Sequence, residues 1–421
     1  MNIGPIQIEW KQRARSLRLK ETVFASFTEG APSVRARLGE FTPGDWSRAK
    51  FWLDVSGLAL YFLDRLTVLD LEECIPAFML QQLRQDFADN RARTEMLLAE
   101  ARAVNRTLRN LDVDFAFLKG ITLPPESVTE RALRSQMDID ILIREQDARL
   151  VQACLGEMGY ELDAVSGYTW EFKAGPSGMS TLRNLYQVRP ERALEVHLLP
   201  GAMEHQASDR LSRMDSNKNN AGKVASLGQA DVFVLQAQHL FKHMCGEHTR
   251  VSWVLEYWRH VCARRDDANF WCEVERVAAS ENAAIAIGAA TLLASLIFGP
   301  FAPATLTRWS VDRLSPAICL WIQLYGKRVL LSDTPGSKLY LLLRKQLNPH
   351  AGDEHRRLLF PIHLPQRITR ARDREGVTQR FRRFKIQMLF SGRRLRFHLA
   401  EGLRLAVESP RWERRLTGVS E

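Results

Sequence analysis

Apolar and polar residues follow a helical period through the first hundred residues of the chain. Apolar side chains dominate several faces of the stretch 52–63, and a helical stripe over 87–108 predicts one long helix. From residue 228 onward the pattern is again helical nearly to the end. Only the part between these segments has short apolar runs typical of strands, so we expect the sheet there.

This middle part alternates strands, helices and turns. A short helix is expected over 127–134, and an amphipathic helix over 145–158 that ends at Gly159. The polar, Asn- and Ser-rich segment 205–228 is expected to be a surface loop. Apolar runs bounded by turn residues predict strands over 115–118, 139–143, 168–173, 181–188 and 194–199.

Together these elements predict an α+β protein with a small mixed-sheet core between N-terminal and C-terminal helical domains. The length of 421 residues is enough for two or three hydrophobic cores. We expect a helical region at 1–108, the α/β core at 109–204, a helical domain at 205–365 and a basic helical tail at 366–421.

Composition favours a cytoplasmic, globular protein. Hydrophobic residues make up 45% of the chain and charged residues 26%, which is ordinary for that class. The six cysteines are scattered without a CxxC pair, so they are expected to be reduced thiols, and the charged N-terminus is unlike a signal peptide. Residues 283–305 carry no charge, but their Ala and Gly content favours a buried helix over a transmembrane span.

Positive charge is concentrated near the C-terminus. Residues 367–415 contain fifteen Lys/Arg and five Asp/Glu, an excess equal to the net charge of +10 of the whole chain. Aromatic residues lie between the cations, as in Arg380-Phe381-Arg382-Arg383-Phe384. This pattern suits contact with nucleic acid, a helix lying on an anionic membrane surface, or a solvated helix that packs its aromatic residues on the protein.

The strongest chemical signal is a pair of carboxylates, Asp138 and Asp140, at the start of an apolar run. Residues two apart on a strand share a face, so the two acids converge. Close carboxylates repel each other unless a cation lies between them. Mg²⁺ (or Mn²⁺) is the expected cation, with Glu195 of a neighbouring strand as a third ligand and His197 on the same face as Glu195.

Further candidates would bind the nucleotide and the acceptor of a nucleotidyl-transfer reaction. Lys119 and Gly120, where a strand opens into a helix, could hold phosphate oxygens by charge and by backbone N–H groups, and Arg134 could reach the same phosphates. His239 and His243 are four residues apart and share a helix face, where they could contact the acceptor, bind zinc or serve packing.

Each candidate also has a purely structural interpretation. Lys119 could be a solvated turn lysine, and Arg134 could pair with Glu126 or Glu130. Glu195 could be a surface strand residue, and His197 a hydrogen-bonded structural histidine.

Several motifs together resemble the uncharacterised bacterial nucleotidyltransferase family, which belongs to the polymerase-beta-like nucleotidyltransferase superfamily. The resemblance covers roughly residues 40–265. It implies a nucleotidyltransferase core in which Asp138, Asp140 and Glu195 are the catalytic and metal-binding residues. The motifs that carry it are Leu118-Lys119-Gly120, the run from Arg134 to Ile143, Gly159-Tyr160 and Leu194-Glu195-Val196-His197.

The sequence therefore predicts a metal-dependent enzyme that moves a nucleoside monophosphate from a nucleoside triphosphate to an acceptor, which is a small molecule, an RNA or a protein. Two alternatives remain at this point. One is an inactive protein of the same fold that binds RNA or an anionic membrane, suggested by the departures Met137 and Pro124-Pro125. The other is a toxin-like nucleotidyltransferase that acts on tRNA or protein.

Overall fold

The computed structural model describes residues 5–176, 182–201, 210–214, 224–332, 336–348 and 377–420. Within these residues, helices lie on both sides of the chain segment that forms a single five-stranded sheet. The α+β fold class with helical flanks is therefore confirmed.

Five helices precede the sheet. The long fifth helix contains the expected segment 87–108 and extends beyond it at both ends. Thr42 and Asp45 form a capping box at the start of the third helix. The five are α1 (Pro5–Thr28), α2 (Ala31–Leu38), α3 (Pro43–Ser56), α4 (Ala59–Val68) and α5 (Ala77–Asn110).

The sheet has the strand order β1-β2-β5-β4-β3. Its central pair, β2 and β5, is parallel, and the other neighbouring pairs are antiparallel. All residues of β2 before its last are buried, in keeping with the continuous apolar run. The strands are β1 (Phe115–Phe117), β2 (Ile139–Arg144), β3 (Glu161–Ser166), β4 (Thr169–Ala174) and β5 (Arg192–Leu199); α6 (Ala148–Glu157) joins β2 to β3.

The rest of the described chain is helical. A π-helical segment, Ile322–Gly326, joins the short helices α12 and α13. The helices are α7 (Gln229–Met244), α8 (Val251–Ala263), α9 (Ala268–Ser280), α10 (Ala284–Phe298), α11 (Ala304–Thr307), α12 (Pro316–Trp321), α13 (Lys327–Leu330), α14 (Tyr340–Leu347) and α15 (Val377–Ser420).

One hydrophobic core unites the N-terminal and C-terminal helices. It includes Leu19 of α1, Trp52 of α3, Phe233 of α7 and Trp412 of α15, and α10 packs against α1, α7 and α8 within it. A second cluster lies between the sheet, α5 and α6. The uncharged α10 is a buried helix, and among the described residues no helix has the length and apolar character needed to cross a membrane.

The expected strand over 181–188 is wrong within its described part. Residues 182–184 form a 3₁₀ turn, and the following residues are irregular. Side chains from two helices hold this segment: the Tyr186 hydroxyl donates to Asp54 of α3 at 3.0 Å, and Arg93 of α5 donates to the carbonyl of Leu185. These hydrogen bonds from helix side chains take the place of the backbone hydrogen bonds that would join a strand to the sheet. Strand β3, which the sequence did not predict, supplies the outer edge of the sheet instead.

The expected helix over 127–134 is also wrong, because only Arg131–Leu133 form a 3₁₀ turn. The carbonyl oxygens of Ala132 and Arg134 accept hydrogen bonds from the Asn90 side-chain amide at 2.6 and 3.2 Å. Side-chain donors from α5 thus satisfy backbone groups that a helix would have paired internally. Part of the expected loop 205–228 lies outside the described residues, and Leu211–Arg213 form a 3₁₀ turn.

Candidate active site

The central parallel strands bring two predicted carboxylates side by side. Asp140 of β2 is in register with Glu195 of β5, so both side chains lie on one face of the sheet. Glu171 of β4 is in register with Glu195 on the other side, which extends the row to three carboxylates. The sequence analysis missed Glu171, because the strand prediction over 168–173 did not include its pairing with β5.

Lys119 lies directly against this row. It begins the 3₁₀ turn Lys119–Ile121, and the preceding residue, Leu118, donates its backbone N–H to the carbonyl of Asp140 at 2.9 Å. The ammonium group forms an ion pair with Asp140, and its Nζ is 3.3 Å from Glu195 Oε2. Burial alone would lower the pKa of Lys119, but the Asp140 and Glu195 charges outweigh burial and raise it.

His197 completes the cluster from the same strand as Glu195. Its Nε2 is 2.9 Å from Asp140 Oδ1 and 3.5 Å from Glu195 Oε2, while its Nδ1 is 3.2 Å from the Thr169 hydroxyl. Burial opposes the charged imidazole, yet hydrogen bonds to Asp140 and Glu195 raise the pKa of His197. The hydrogen bond from His197, with the charge of Lys119, lowers the pKa of Glu195.

Asp138 lies just before β2 and next to the cluster. Burial raises its pKa to about 6, and the nearby charges of Asp140 and Glu195 act in the same direction. Among the described residues, no hydrogen bond or ion pair is formed by its carboxylate. Its charge contributes to the raised pKa of Lys119 and Arg134, and it opposes the lowering of the pKa of Arg93 and Arg250 by burial.

Gly120 and Arg134 are packed together beside Lys119. A Cβ atom on Gly120 would collide with the ends of the Arg134 and Gln136 side chains, so a larger residue here would have to displace both. Arg134 does not pair with Glu126 or Glu130, its sequence neighbours. Its Nε is instead 3.2 Å from Glu256 Oε1 of α8, where Glu256 is buried and Arg134 is partly buried.

Two arginines near Asp138 were missed by the sequence analysis. Arg93 lies on α5 and contacts the sulfur of Met137, and Arg250 immediately precedes α8 and stacks over the Trp253 ring at 5.6 Å. Neither guanidinium forms an ion pair with a carboxylate of the described residues. Burial lowers the pKa of both, to about 10 for Arg93. No sequence motif marks these two arginines, because Arg93 on α5 and Arg250 beside α8 are far from Asp138 in the sequence.

The donor atoms fit a divalent cation. Ligand atoms of Asp140, Glu195 and His197 all lie within 4.8 Å of one another, the one such group in the described part of the chain. Two carboxylates suit the hard cations Mg²⁺ and Mn²⁺, whereas imidazole suits softer metals. His197 is therefore better suited to orient the carboxylates than to bind magnesium itself. Asp138 is not a member of this group of atoms.

A cavity of about 430 Å³ opens beside the cluster. Lys119 and His197 line it together with leucine side chains such as Leu142 and Leu235 and with polar side chains such as Gln236 and Lys242. His239 also lines it, with its ring 4.8 Å from that of Trp253. His243 packs on Trp253 at 4.2 Å, one helical turn along. Burial lowers the pKa of His239 to about 3 and that of His243 to about 4, so both rings are neutral.

Comparison with known proteins assigns the family. A sequence model described as uncharacterised nucleotidyltransferase matches residues 42–299, which is more than half of the chain. The chain therefore belongs to the uncharacterised nucleotidyltransferase family, as its motifs predicted. No curated protein and no solved structure has significant similarity to it.

Proposed function

We propose that this protein transfers a nucleoside monophosphate from a nucleoside triphosphate to a small-molecule acceptor and releases pyrophosphate. The family supports nucleotidyl transfer as the general reaction. The observation that carries the proposal is the convergence of Asp140, Glu195, His197 and Lys119 on one face of the β2–β5 pair. The proposed setting is the cytoplasm, where nucleoside triphosphates and Mg²⁺ are both abundant.

The carboxylates would hold the metal. Asp140 and Glu195 offer oxygen ligands that already lie together, and Asp138 adds a third carboxylate at the entrance to β2. Bound Mg²⁺ or Mn²⁺ would neutralise phosphate charge and polarise the phosphorus that is attacked. Glu171, in register with Glu195, is a further acid within the same row.

The cations near Asp138 would hold the triphosphate. Arg93 and Arg250 are largely buried and pair with no described carboxylate, so phosphate oxygens would supply the charge they lack. Lys119 lies against the carboxylate row, and Gly120 packs against the Arg134 side chain. Arg134 is already paired with Glu256, and its main role is therefore to position the turn.

On the other side of the row, the cavity would bind the acceptor. His197 lines the cavity, and its contacts with Asp140 and Glu195 hold these carboxylates in place. We assign to Glu195, which these contacts keep ionised, the proton that leaves the acceptor hydroxyl as its oxygen bonds to the α-phosphorus. The bond between that phosphorus and the bridging oxygen then breaks, and pyrophosphate leaves toward the arginines.

The shape of the cavity points to a small, partly apolar acceptor. A volume of about 430 Å³ is that of a small-molecule site, and its lining combines leucine side chains with polar groups such as Gln236, Gln238 and Lys242, which suits a small acceptor with both apolar and polar parts. His239 is neutral and packs edge-to-face against Trp253, so it would contribute an uncharged ring to the cavity wall.

Calorimetric titration of Mg²⁺ with each non-hydrolysable nucleoside triphosphate tests the nucleotide site. We expect magnesium-dependent binding that Asp138→Asn/Asp140→Asn abolishes. The control Asp112→Asn/Asp114→Asn removes the same charge from another Asp-x-Asp pair, outside the site, and should bind as wild type does. Folded wild-type protein that binds no nucleotide would contradict the proposal and favour an inactive scaffold.

Labelling of a cell extract tests the acceptor. Protein is incubated with each nucleoside triphosphate carrying a labelled α-phosphate, and the extract is separated into small-molecule, RNA and protein fractions. Label should appear in the small-molecule fraction and disappear with the double aspartate variant. Label confined to RNA or to protein would refute the cavity assignment and favour the toxin-like alternative.

A further inference from the structure

Helix α15 has an exposed apolar stripe on the side that faces away from the protein. At about 100° of rotation per residue, six large apolar side chains fall within an arc of about 100°. They are 54–71% exposed. The stripe consists of Phe381, Phe384, Met388, Leu395, Leu399 and Leu403. It runs for about 33 Å along the helix.

The opposite side of α15 is fastened to the helical core. Glu401 accepts hydrogen bonds from the Ser337 hydroxyl at 2.9 Å and the Lys338 backbone N–H at 3.1 Å. Trp412 is almost completely buried, and Arg394 forms an ion pair with Glu247 at 2.8 Å. These contacts fix the rotation of the helix and hold the stripe toward solvent.

Charge is distributed unequally around the stripe. Between residues 377 and 403 the sequence has seven Lys/Arg and a single acid, Glu401. Among the described side chains, Lys385 and Arg396 are exposed at the edge of the stripe, where a helix lying on a surface places its cations. The helix therefore offers an apolar surface bordered by positive charge.

We propose that α15 docks the protein on an anionic lipid bilayer, lying in the interface with the stripe turned toward the acyl chains. This partner satisfies both properties of the surface, because lipid covers the apolar side chains and anionic headgroups face the cations. A second copy of the chain would bring the same positive charge to the contact. RNA would pair with the cations but leave the apolar stripe in water.

Sedimentation of the full chain with lipid vesicles tests the proposal. Binding is expected to vesicles of equimolar phosphatidylcholine and phosphatidylglycerol, with little binding to phosphatidylcholine alone. It should weaken as salt is added, because salt screens the cations. Failure to bind anionic vesicles, or equal binding to both kinds, would overturn the proposal.

Two charge-matched variants locate the contact. Phe384→Glu/Leu395→Glu should weaken vesicle binding by about tenfold or more, because it removes two apolar contacts and adds two negative charges. Phe51→Glu/Val68→Glu makes the same change at exposed positions 48% and 66% accessible in α3 and α4, and should bind as wild type does. Equal binding by both variants would overturn the assignment to α15.

The other partners give distinct results. The stripe would be assigned to a second copy of the chain if the protein does not bind vesicles and sedimentation velocity shows a dimer. That dimer should dissociate in Phe384→Glu/Leu395→Glu but not in the control variant. RNA binding without vesicle binding would assign the cations to nucleic acid, and either result refutes docking on lipid. Thermal unfolding and nucleotide binding should be unchanged in both variants, which separates this test from that of the transferase site.

Discussion

Lys119 has a backbone conformation that side chains rarely adopt. Its φ is +52°, in the left-handed region where a Cβ atom is crowded by the following carbonyl. The ion pairs with Asp140 and Glu195 hold the residue there. Strain at a residue that contacts a cluster of carboxylates is typical of functional sites. The site thus requires an ammonium group at a position whose backbone would favour glycine.

Replacing Lys119 by glycine or alanine should separate these two requirements. Both variants lose the ammonium group and should lose nucleotide affinity equally. Lys119→Gly should nevertheless be more stable than Lys119→Ala by about 0.5–1 kcal/mol, because glycine adopts positive φ without strain. Urea denaturation measures the difference.

A helical position provides the control for that comparison. Ala153 lies in α6, where alanine should be more stable than Ala153→Gly by about 1 kcal/mol. An alanine variant at position 119 that is as stable as the glycine variant would show that Lys119 is not strained.

The sequence predicted the carboxylates better than the arginines. Asp140 and Glu195 each lie in an alternating or apolar run, and the period of two residues assigns the face of the sheet. Arg93 and Arg250 reach the site from α5 and α8, which no local pattern links to it. Arg134 likewise pairs with Glu256, 122 positions further along the chain. Long-range pairing of this kind depends on how helices pack, and a periodic pattern does not contain it.

At the scale of elements, the Lys119–Ile121 turn links the first strand to the site. The ends of the Arg134 and Gln136 side chains occupy the space that a Cβ at position 120 would take, so a larger residue there would displace them. Gln136 also donates to the carbonyl of Asp138 at 2.8 Å. A displaced Gln136 would therefore shift the start of β2, where the carboxylates are.

Gly120→Ala tests this coupling. The added methyl group should lower the free energy of unfolding by about 1–3 kcal/mol and reduce nucleotide affinity by about tenfold or more, because it moves Arg134 and the start of β2. Gly156→Ala in α6 is the matched control: nothing lies within 4 Å of its Cβ position. That variant should gain up to about 1 kcal/mol and bind nucleotide normally. Normal nucleotide binding by a folded Gly120→Ala protein would contradict the assignment.

The sequence predicted the elements that have a strong hydrophobic period, but it did not predict the irregular segments that buried side chains hold in place. The prediction of β2, β5 and α6 came from patterns that the structure confirms within one to three residues at each end. The segment 181–188 has strand-forming residues, but Tyr186 is buried against α3 and Leu185 is held by Arg93. Tertiary contacts override local preference where a single buried side chain fixes an irregular segment.

Across the whole molecule, four largely buried histidines relate stability to pH. Burial lowers the pKa of His239 and His260 to about 3, and that of His243 and His248 to about 4. In the unfolded chain they take up protons near pH 6.5, whereas in the folded protein they stay neutral. Their contribution to stability is therefore complete above about pH 6.5 and is lost as the pH falls toward 4.

Urea denaturation at several pH values should show this loss. Each histidine should contribute about 1–2 kcal/mol of destabilisation between neutral pH and about pH 5. Asp138 and other carboxyl groups with a raised pKa, namely Asp54, Asp64 and Asp231, act in the opposite sense, because protonation of these groups favours the folded state at low pH. His248→Gln should reduce the change in the free energy of unfolding between neutral pH and pH 5 by about the contribution of one histidine. An unchanged slope would show that His248 is not held neutral by the fold.

The packing of α10 shows that the region matched by the family is smaller than the unit that shares one hydrophobic core. The family match ends at residue 299, immediately after α10. Yet α10 packs on α1, which precedes the matched region, and on α12 and α13, which follow it. Lys20 of α1 also donates to the carbonyl of Leu331 at 2.8 Å, joining the two outer parts directly. A fragment cut at the family boundaries would leave an uncharged helix facing water, and we expect it to aggregate where the full chain stays in solution.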